Sequence, residues 1–179
     1  MGLLEAAVVQ PGVVNLVTGD GAAVSEVALI DPRLSGVHFT GSTPTFRHLW
    51  RAVSDHLDGY RDFPRLVGET GGKDFVVAHP SADVDALRVG LVRGAFEYQG
   101  QKCSAASRAF IAASVWERLR DDLADTVRAI PMGDPTDFAM FMGAVIDRRA
   151  YDRITAAVGR ARADDSIVVL AGGGADDSE

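Results

Sequence analysis

Gly36-Val37-His38-Phe39-Thr40-Gly41-Ser42-Thr43-Pro44 is the stretch that decides the fold. Its first five residues predict a β-strand, and its last four predict a turn. Residues 45–57 then follow an amphipathic pattern typical of a helix, and Pro44 suits the first turn of that helix. A strand that passes through a tight turn into a helix is the building unit of an α/β fold.

The same alternation extends in both directions from this unit. The apolar run at 75–78 is expected to be a strand buried on both faces. Other strands are predicted at 13–17, 65–69, 108–112 and 166–171, and helices at 22–29, 45–57, 81–98, 116–130 and 151–162. This order favours an α/β architecture with parallel strand pairing.

Glycines concentrate in the stretch Gly68-Glu69-Thr70-Gly71-Gly72-Lys73. This is the densest glycine cluster between two apolar strands, so we expect a domain boundary here, with domains at 1–68 and 69–179. The chain starts and stops abruptly, and its tail at 171–179 is polar and glycine-rich. We therefore interpret the chain as an internal piece of a longer enzyme.

The composition is that of an ordinary globular protein. Of the 179 residues, 47% are hydrophobic and 24% charged, which suffices for a domain with a real core. A net charge of −7 disfavours nucleic acid and anionic membranes as partners. No apolar run approaches the length of a membrane span, and residues 1–5 lack the basic segment of a signal peptide. A single free thiol fits a reduced compartment, so we expect a cytoplasmic location.

Cys103 is the only cysteine, which rules out an internal disulfide and a multi-cysteine zinc site. It is either a small buried hydrophobe or a nucleophile. The preceding residues, Tyr98-Gln99-Gly100-Gln101-Lys102, are a poor setting for core packing and predict a tight polar loop. Lys102 could favour the thiolate electrostatically. These neighbours favour the nucleophile.

Glu69 is a candidate general base, because it is a carboxylate on a glycine-flanked loop. The alternative is a structural residue that binds nearby amides. Gly71 and Gly72 indicate that something passes close to this backbone. A thiol nucleophile and a carboxylate base together indicate acyl-type covalent chemistry. A cysteine hydrolase that pairs Cys103 with His79 is a weaker alternative, since nothing sets that histidine beside the thiol.

The turn at residues 39–43 is a candidate phosphate site, because exposed N–H groups at a helix N-terminus attract phosphate. Gly41 lets the backbone approach a ligand closely, and the hydroxyls of Ser42 and Thr43 add donors. The alternative is an ordinary strand-to-helix turn with a Ser/Thr cap. The common Gly-x-Gly-x-x-Gly fingerprint is absent. We expect no metal, since metal-ligand spacing with acidic partners is missing around the four histidines, His38, His48, His56 and His79.

Three of these stretches together resemble the signatures of the aldehyde dehydrogenase superfamily. Gly68 through Phe75 resembles its glutamate signature, Phe96 through Ala105 its cysteine signature, and Phe39 through Thr43 its cofactor turn. They occur in the family's order, and the resemblance extends from Pro11 to Gly173. It implies a parallel Rossmann-like sheet, as part of an NAD-binding domain, followed by the start of an α/β catalytic domain.

Finer features resemble one branch of that family. The residues that carry this likeness are 39–50, 60–66, 95–105 and 145–147. Enzymes of the branch oxidise L-glutamate γ-semialdehyde (1-pyrroline-5-carboxylate) to L-glutamate with NAD in proline breakdown. The resemblance therefore implies a small-molecule substrate, glutamate semialdehyde, NAD as the cofactor, and a homo-oligomeric parent enzyme. For a eukaryotic source, the mitochondrial matrix replaces the cytoplasm as the expected location.

The resemblance also assigns roles to single residues. Cys103 would attack the aldehyde carbon to give a thiohemiacetal, and hydride transfer would leave a thioester. Glu69 would activate the water that hydrolyses this thioester, and Ser104 would contact a carboxylate of the substrate. The Cys103 backbone N–H would help to hold the oxyanion. The NAD site would be lined by Gly41, Ser42, Thr43, Pro44 and Thr45.

Several parts of the family's machinery are not found in this chain. They include the upstream asparagine of the oxyanion hole, the upstream lysine that holds the ribose, and the downstream loop that anchors the substrate. We therefore expect this piece alone to be inactive and marginally stable. The alternative to an enzyme is a truncated, catalytically silent remnant that binds only nucleotide or a partner chain. The joint presence of Cys103 and Glu69 favours the enzyme.

Overall fold

The computed structural model describes residues 2–177. It confirms the α/β fold class, because helices alternate with strands and both strand pairs are parallel. The chain divides into two compact units, of which the first ends at Gly71 and the second begins at Gly72. Glu69, which the sequence assigned to a domain at 69–179, lies in the first unit. The identity of the units as parts of an NAD-binding and a catalytic domain stays a prediction.

The first unit is built around a parallel strand pair. Its strands run with Val37 opposite Leu66 and Thr40 opposite Glu69. A single 3₁₀ turn, Leu57–Gly59, follows its longest helix. The elements of this unit are α1 (Gly2–Ala6), α2 (Gly21–Ala28), β1 (Gly36–Gly41), α3 (Thr43–Asp55) and β2 (Arg65–Thr70).

A small hydrophobic core fixes α3 on this sheet. Leu49 and Val53, four residues apart on one helix face, are buried together with Leu29. The hydroxyl of Tyr60 donates a hydrogen bond to the carbonyl of Leu29, and burial raises the pKa of Tyr60. The N-terminus of α3 follows directly after the carboxyl end of β1. The half-buried side chains around this core include Leu34, Val37, Phe39, Ala52 and Leu66.

The second unit has a parallel strand pair of its own. Val76 lies opposite Ala109, and the register shifts between Asp74 and Phe75. Its elements are β3 (Asp74–Ala78), α4 (Val84–Phe96), β4 (Ala106–Ile111), α5 (Ala113–Arg128) and α6 (Arg148–Arg162). Its core contains the buried residues Ala78, Leu91, Val92, Val115, Leu119, Ala124 and Ala150.

Aspartate side chains fix where two of these helices begin. The carboxylate of Asp83 accepts a hydrogen bond from the N–H of Ala86 at 2.8 Å, at the start of α4. Asp147 does the same for the N–H of Ala150 at 2.7 Å, at the start of α6. Such caps satisfy N–H groups that the first helical turn leaves without a partner.

Two strand predictions and one burial prediction were wrong. The apolar run at 75–78 is not buried on both faces: Phe75 is 64% and Val77 68% exposed, whereas Ala78, on the opposite face, is buried. In the described part of the chain, 13–17 and 166–171 are not strands. Both are rich in β-branched residues, but a strand needs a partner backbone as well as the right side chains. The carbonyl of Leu170 instead accepts a hydrogen bond from Arg128 at 2.7 Å.

No helix among residues 2–177 is both long enough and apolar enough to cross a membrane.

Candidate active site

The expected cofactor turn lies where β1 passes into α3. Gly41 ends the strand, and Ser42 caps the helix, because its Oγ accepts a hydrogen bond from the N–H of Thr45 at 3.2 Å. The hydroxyls of Ser42 and Thr45 also lie 2.7 Å apart. Pro44 occupies the first helical turn, which contains no acidic residue. The N-terminus of α3 is therefore exposed, and the first turn of this helix carries no carboxylate.

Thr43 joins this turn to the strand that carries Glu69. Its Oγ1 donates a hydrogen bond to Oγ1 of Thr70 at 3.1 Å. In the strand register, Thr40 is opposite Glu69 and Gly41 is opposite Thr70. The cofactor turn and Glu69 are thus neighbours at the carboxyl ends of two parallel strands, which is where open α/β sheets bind ligands.

Glu69 lies within β2, which confirms the strand predicted at 65–69 and corrects the placement of Glu69 on the glycine-flanked loop. Its side chain is exposed. The preceding Gly68 has a packing reason to be glycine, because a β-carbon there would overlap the ring of Phe46. A β-carbon at Gly41 would come within 2.6 Å of the ring of Phe39. Both glycines therefore make room for aromatic rings of the chain itself.

The two rings that these glycines accommodate stack on each other. The centroids of Phe39 and Phe46 are 6.0 Å apart, and the ring planes differ by 10°. Trp50 packs edge-on against Phe46, with 5.6 Å between centroids. The aromatic contacts pack β1, which leads into the cofactor turn, against α3, which follows it. This packing stabilises the two ends of the turn.

Cys103 lies in a tight turn between α4 and β4. The N–H of Ala105 donates to the carbonyl of Lys102 at 3.2 Å, which closes the turn around Cys103 and Ser104. Both side chains are exposed. Exposure excludes the interpretation of Cys103 as a small buried hydrophobe. Its role as a nucleophile stays a prediction.

The backbone that leads into this turn is left-handed. Tyr98 has φ 56°, Gln99 has φ 55° and Gly100 has φ 65°. A β-carbon at Gly100 would lie 2.7 Å from the carbonyl oxygen of Ala95. For residues other than glycine this conformation costs roughly 1–3 kcal/mol each, and it persists only where the surroundings hold it.

Contacts to other parts of the second unit hold the turn in place. The side-chain oxygen of Gln101 accepts a hydrogen bond from the N–H of Ile146 at 3.0 Å. The main chain of Gly72 lies so close to Cys103 that a β-carbon at Gly72 would overlap the Cys103 carbonyl oxygen. Neither contact could be anticipated from local patterns, because each joins segments that are far apart along the chain.

Lys102, whose effect on the thiol stays a prediction, forms an ion pair of its own. Its Nζ lies 2.6 Å from Oε2 of Glu97. Hydrogen bonding to Lys102 lowers the pKa of Glu97, and the positive charges of Arg93 and Lys102 lower it further. The residue directly before Cys103 is therefore paired with a carboxylate that the local sequence pattern did not indicate.

The structure gathers the predicted site residues in two groups. Glu69 and the cofactor turn belong to the first unit, and Cys103 and Ser104 belong to the second. The pairing of Glu69 with Cys103 spans the two units and stays a prediction. Nδ1 of His79 lies 2.9 Å from Oγ of Ser81, and this contact gives no support to a cysteine hydrolase. No cluster that could hold a metal ion occurs among the described residues.

The whole chain, residues 1–179, matches the sequence profile of the aldehyde dehydrogenase family. The chain belongs to the aldehyde dehydrogenase family. The resemblance carried by the cysteine, glutamate and cofactor-turn stretches is thereby confirmed.

Two proteins that resemble this chain are named as pyrroline-5-carboxylate dehydrogenases. The mitochondrial delta-1-pyrroline-5-carboxylate dehydrogenase of Mus musculus is 44% identical over 177 residues, which cover 98% of this chain and 32% of the mouse protein. The crystal structure of the delta-pyrroline-5-carboxylate dehydrogenase from Mycobacterium tuberculosis bound with NAD is 59% identical, with a TM-score of 0.94. That match covers 99% of this chain and 33% of the other. The chain thus spans about a third of the length of these relatives.

Proposed function

We propose that this chain is part of an NAD-dependent enzyme that oxidises L-glutamate γ-semialdehyde to L-glutamate in proline catabolism. The observation that carries the proposal is the exposed thiol of Cys103, on a turn that follows a left-handed backbone segment and is held by contacts to other segments. Catalytic groups are placed on rigid supports because a nucleophile must be oriented before the substrate arrives. The names of the relatives from mouse and Mycobacterium tuberculosis support this substrate class.

The start of α3 fits the pyrophosphate of NAD. The positive end of a helix dipole and exposed N–H groups attract phosphate, and the first turn of α3 holds no acidic residue to repel it. Gly41 and Ser42, where the chain enters this turn, are exposed. Thr43, Pro44 and Thr45 would complete this cradle. When bound, NAD supplies the acceptor for the hydride that the aldehyde carbon loses.

Cys103 would form and break the covalent bond to substrate. Its thiolate sulfur attacks the aldehyde carbon, and the resulting oxyanion is held by the Cys103 backbone N–H. Loss of hydride from that carbon leaves a thioester. Glu69 then removes a proton from water, the hydroxide attacks the thioester carbonyl, and the carbon–sulfur bond breaks to release glutamate and the thiolate. Ser104, beside Cys103 in the same turn, would donate a hydrogen bond to the substrate carboxylate.

Replacing Cys103 with alanine in the enzyme tests this proposal. Cys103→Ala should abolish NADH formation from glutamate semialdehyde and leave the affinity for NAD unchanged, because the thiol takes part in chemistry and not in the α3 cradle. Substantial remaining turnover would exclude Cys103 as the nucleophile. The alternative, a silent remnant that binds only nucleotide or a partner chain, predicts NAD binding without NADH formation in the unmutated protein as well.

Two further expectations stay predictions. The parent enzyme is expected to be a homo-oligomer, and the compartment is expected to be the cytoplasm, or the mitochondrial matrix in a eukaryote. Sedimentation of the purified enzyme and imaging of a tagged protein in its source cells would test them separately.

A further inference from the structure

Glu97 forms ion pairs with two residues that belong to different segments. One of its carboxylate oxygens is bound by Arg93, which lies one turn back on α4. The other is bound by Lys102 at 2.6 Å, directly before Cys103. The carboxylate therefore connects the end of α4 to the turn that carries the thiol.

The segment between Glu97 and Lys102 needs such a connection. It contains the left-handed residues Tyr98, Gln99 and Gly100, which relax to other conformations when nothing restrains them. The Glu97–Lys102 pair closes a loop across these residues. The end of this loop at Glu97 is held in place by α4, which buries Leu91 and Val92 in the core of the second unit.

We propose that Glu97 is a positioning residue for Cys103. By holding Lys102, its carboxylate restrains the turn that presents the thiol and fixes where the Lys102 charge lies. The inference rests on the proposed function only in naming Cys103 as the nucleophile. The restraint itself is measurable without any aldehyde or cofactor.

Amide hydrogen exchange on the full chain measures the restraint directly. The N–H groups of Gln101 and Ala105 are hydrogen-bonded within the turn, so their exchange reports its opening. Glu97→Gln and Lys102→Met should each speed their exchange by about two- to fivefold, the range that an exposed ion pair contributes. The amide of Trp116, which is bonded in α5, should keep its rate, because the change is local.

Matched variants separate this pair from general effects on α4. Arg93→Met removes the other ion pair of Glu97 and should leave the turn amides near their original rates. Lys102→Arg keeps the pair and should do the same. The double variant Glu97→Gln/Lys102→Met should exchange no faster than either single variant, because both remove one interaction. The proposal would be overturned if Arg93→Met sped the exchange of the turn amides as much as Glu97→Gln does. It would also be overturned if the exchange rate in the double variant rose by the product of the two single effects.

The rate of alkylation of Cys103 tests whether Glu97 also affects the charge near the thiol, which a purely structural restraint would not do. Because Cys103 is the only cysteine, iodoacetamide reports on it alone. Glu97→Gln removes a negative charge and releases the positive charge of Lys102, so it should label faster than Lys102→Met, which removes that positive charge. Identical labelling rates in the two variants would show that Glu97 does not position the charge.

The outcomes also distinguish this inference from the proposed function. If Cys103→Ala retains full dehydrogenase activity while Glu97→Gln loosens the turn, the nucleophile assignment fails and the restraint stands. If Cys103→Ala is inactive while Glu97→Gln changes neither exchange nor alkylation, the nucleophile stands and the positioning role is wrong.

Discussion

A β-carbon at Gly72 would overlap the carbonyl oxygen of Cys103. Gly72 lies just ahead of β3, and Cys103 lies just ahead of β4, so the contact joins the segments that lead into the two strands of one parallel pair. Gly72 does not have the positive φ of its neighbour Gly71, which is 63°. Glycine is therefore needed at this position for space and not for backbone conformation. Within the second unit, the main chain at Gly72 thereby limits where the cysteine turn can lie.

Gly72→Ala should displace the turn that carries Cys103. A methyl group forced against backbone cannot be relieved by rotating a side chain, so we expect a loss of roughly 1–3 kcal/mol in the free energy of unfolding. Urea denaturation would measure it, and a changed alkylation rate of the single cysteine would report the displacement.

Gly90→Ala is the matched control for this substitution. Gly90 lies within α4, and a β-carbon there would meet nothing within 4 Å. The free energy of unfolding should rise by roughly 0.5–1 kcal/mol, since alanine favours a helix interior over glycine. If Gly72→Ala changes the free energy of unfolding no more unfavourably than Gly90→Ala, then Gly72 is not packed closely against Cys103.

The elements that could be predicted from the sequence are those that short-range interactions determine. The strand–turn–helix at 36–57, including the Ser42 cap, follows from short-range preferences and was found as expected. The strands at 13–17 and 166–171 were predicted from β-branched composition alone, and composition cannot supply a partner strand. The Glu97–Lys102 pair was missed because it depends on the left-handed backbone between its ends. The Arg93–Glu97 pair has the spacing of helical neighbours, so its signal was available.

Glu69→Gln should separate the two halves of the proposed reaction. An amide cannot accept a proton from water, so the thioester should form at a normal rate and hydrolyse slowly. Rapid-mixing measurements in the enzyme should then show a burst of NADH followed by a slow steady state, as expected when a covalent intermediate accumulates. Loss of the base from a general-base step reduces its rate about 10²–10⁴-fold. Steady-state turnover equal to that of the unmutated enzyme would exclude this role.

Ser104→Ala should weaken recognition of the substrate carboxylate. A hydrogen bond to a charged group contributes about 1.5–3 kcal/mol, which corresponds to roughly a ten- to hundredfold change in kcat/KM. The change should appear with glutamate semialdehyde and be much smaller with a simple aliphatic aldehyde of similar length. The aliphatic substrate is the control, because it has no carboxylate. Equal effects on both substrates would show that Ser104 does not contact this group.

Acid should weaken the second unit through the cap of α6. The N–H of Ala150 binds the carboxylate of Asp147 and lowers its pKa, and Arg149 lowers it further, against an opposing effect of burial. A folded-state pKa below the unfolded value means that the cap stabilises the fold fully above the unfolded pKa of about 3.9. The contribution is then lost as the pH falls through the folded-state pKa.

Two substitutions at Asp147 test this pH dependence. Asp147→Asn keeps a capping oxygen that does not titrate, so its free energy of unfolding should be close to that of the unmutated protein near pH 6 and fall less on acidification. Asp147→Ala removes the cap, so near pH 6 it should be less stable than the unmutated protein and than Asp147→Asn. Its stability should depend on pH as weakly as that of Asp147→Asn. Urea unfolding at a series of pH values from 6 to about 3 would compare the three proteins. If all three lose stability in parallel, the carboxylate of Asp147 does not couple protonation to the fold.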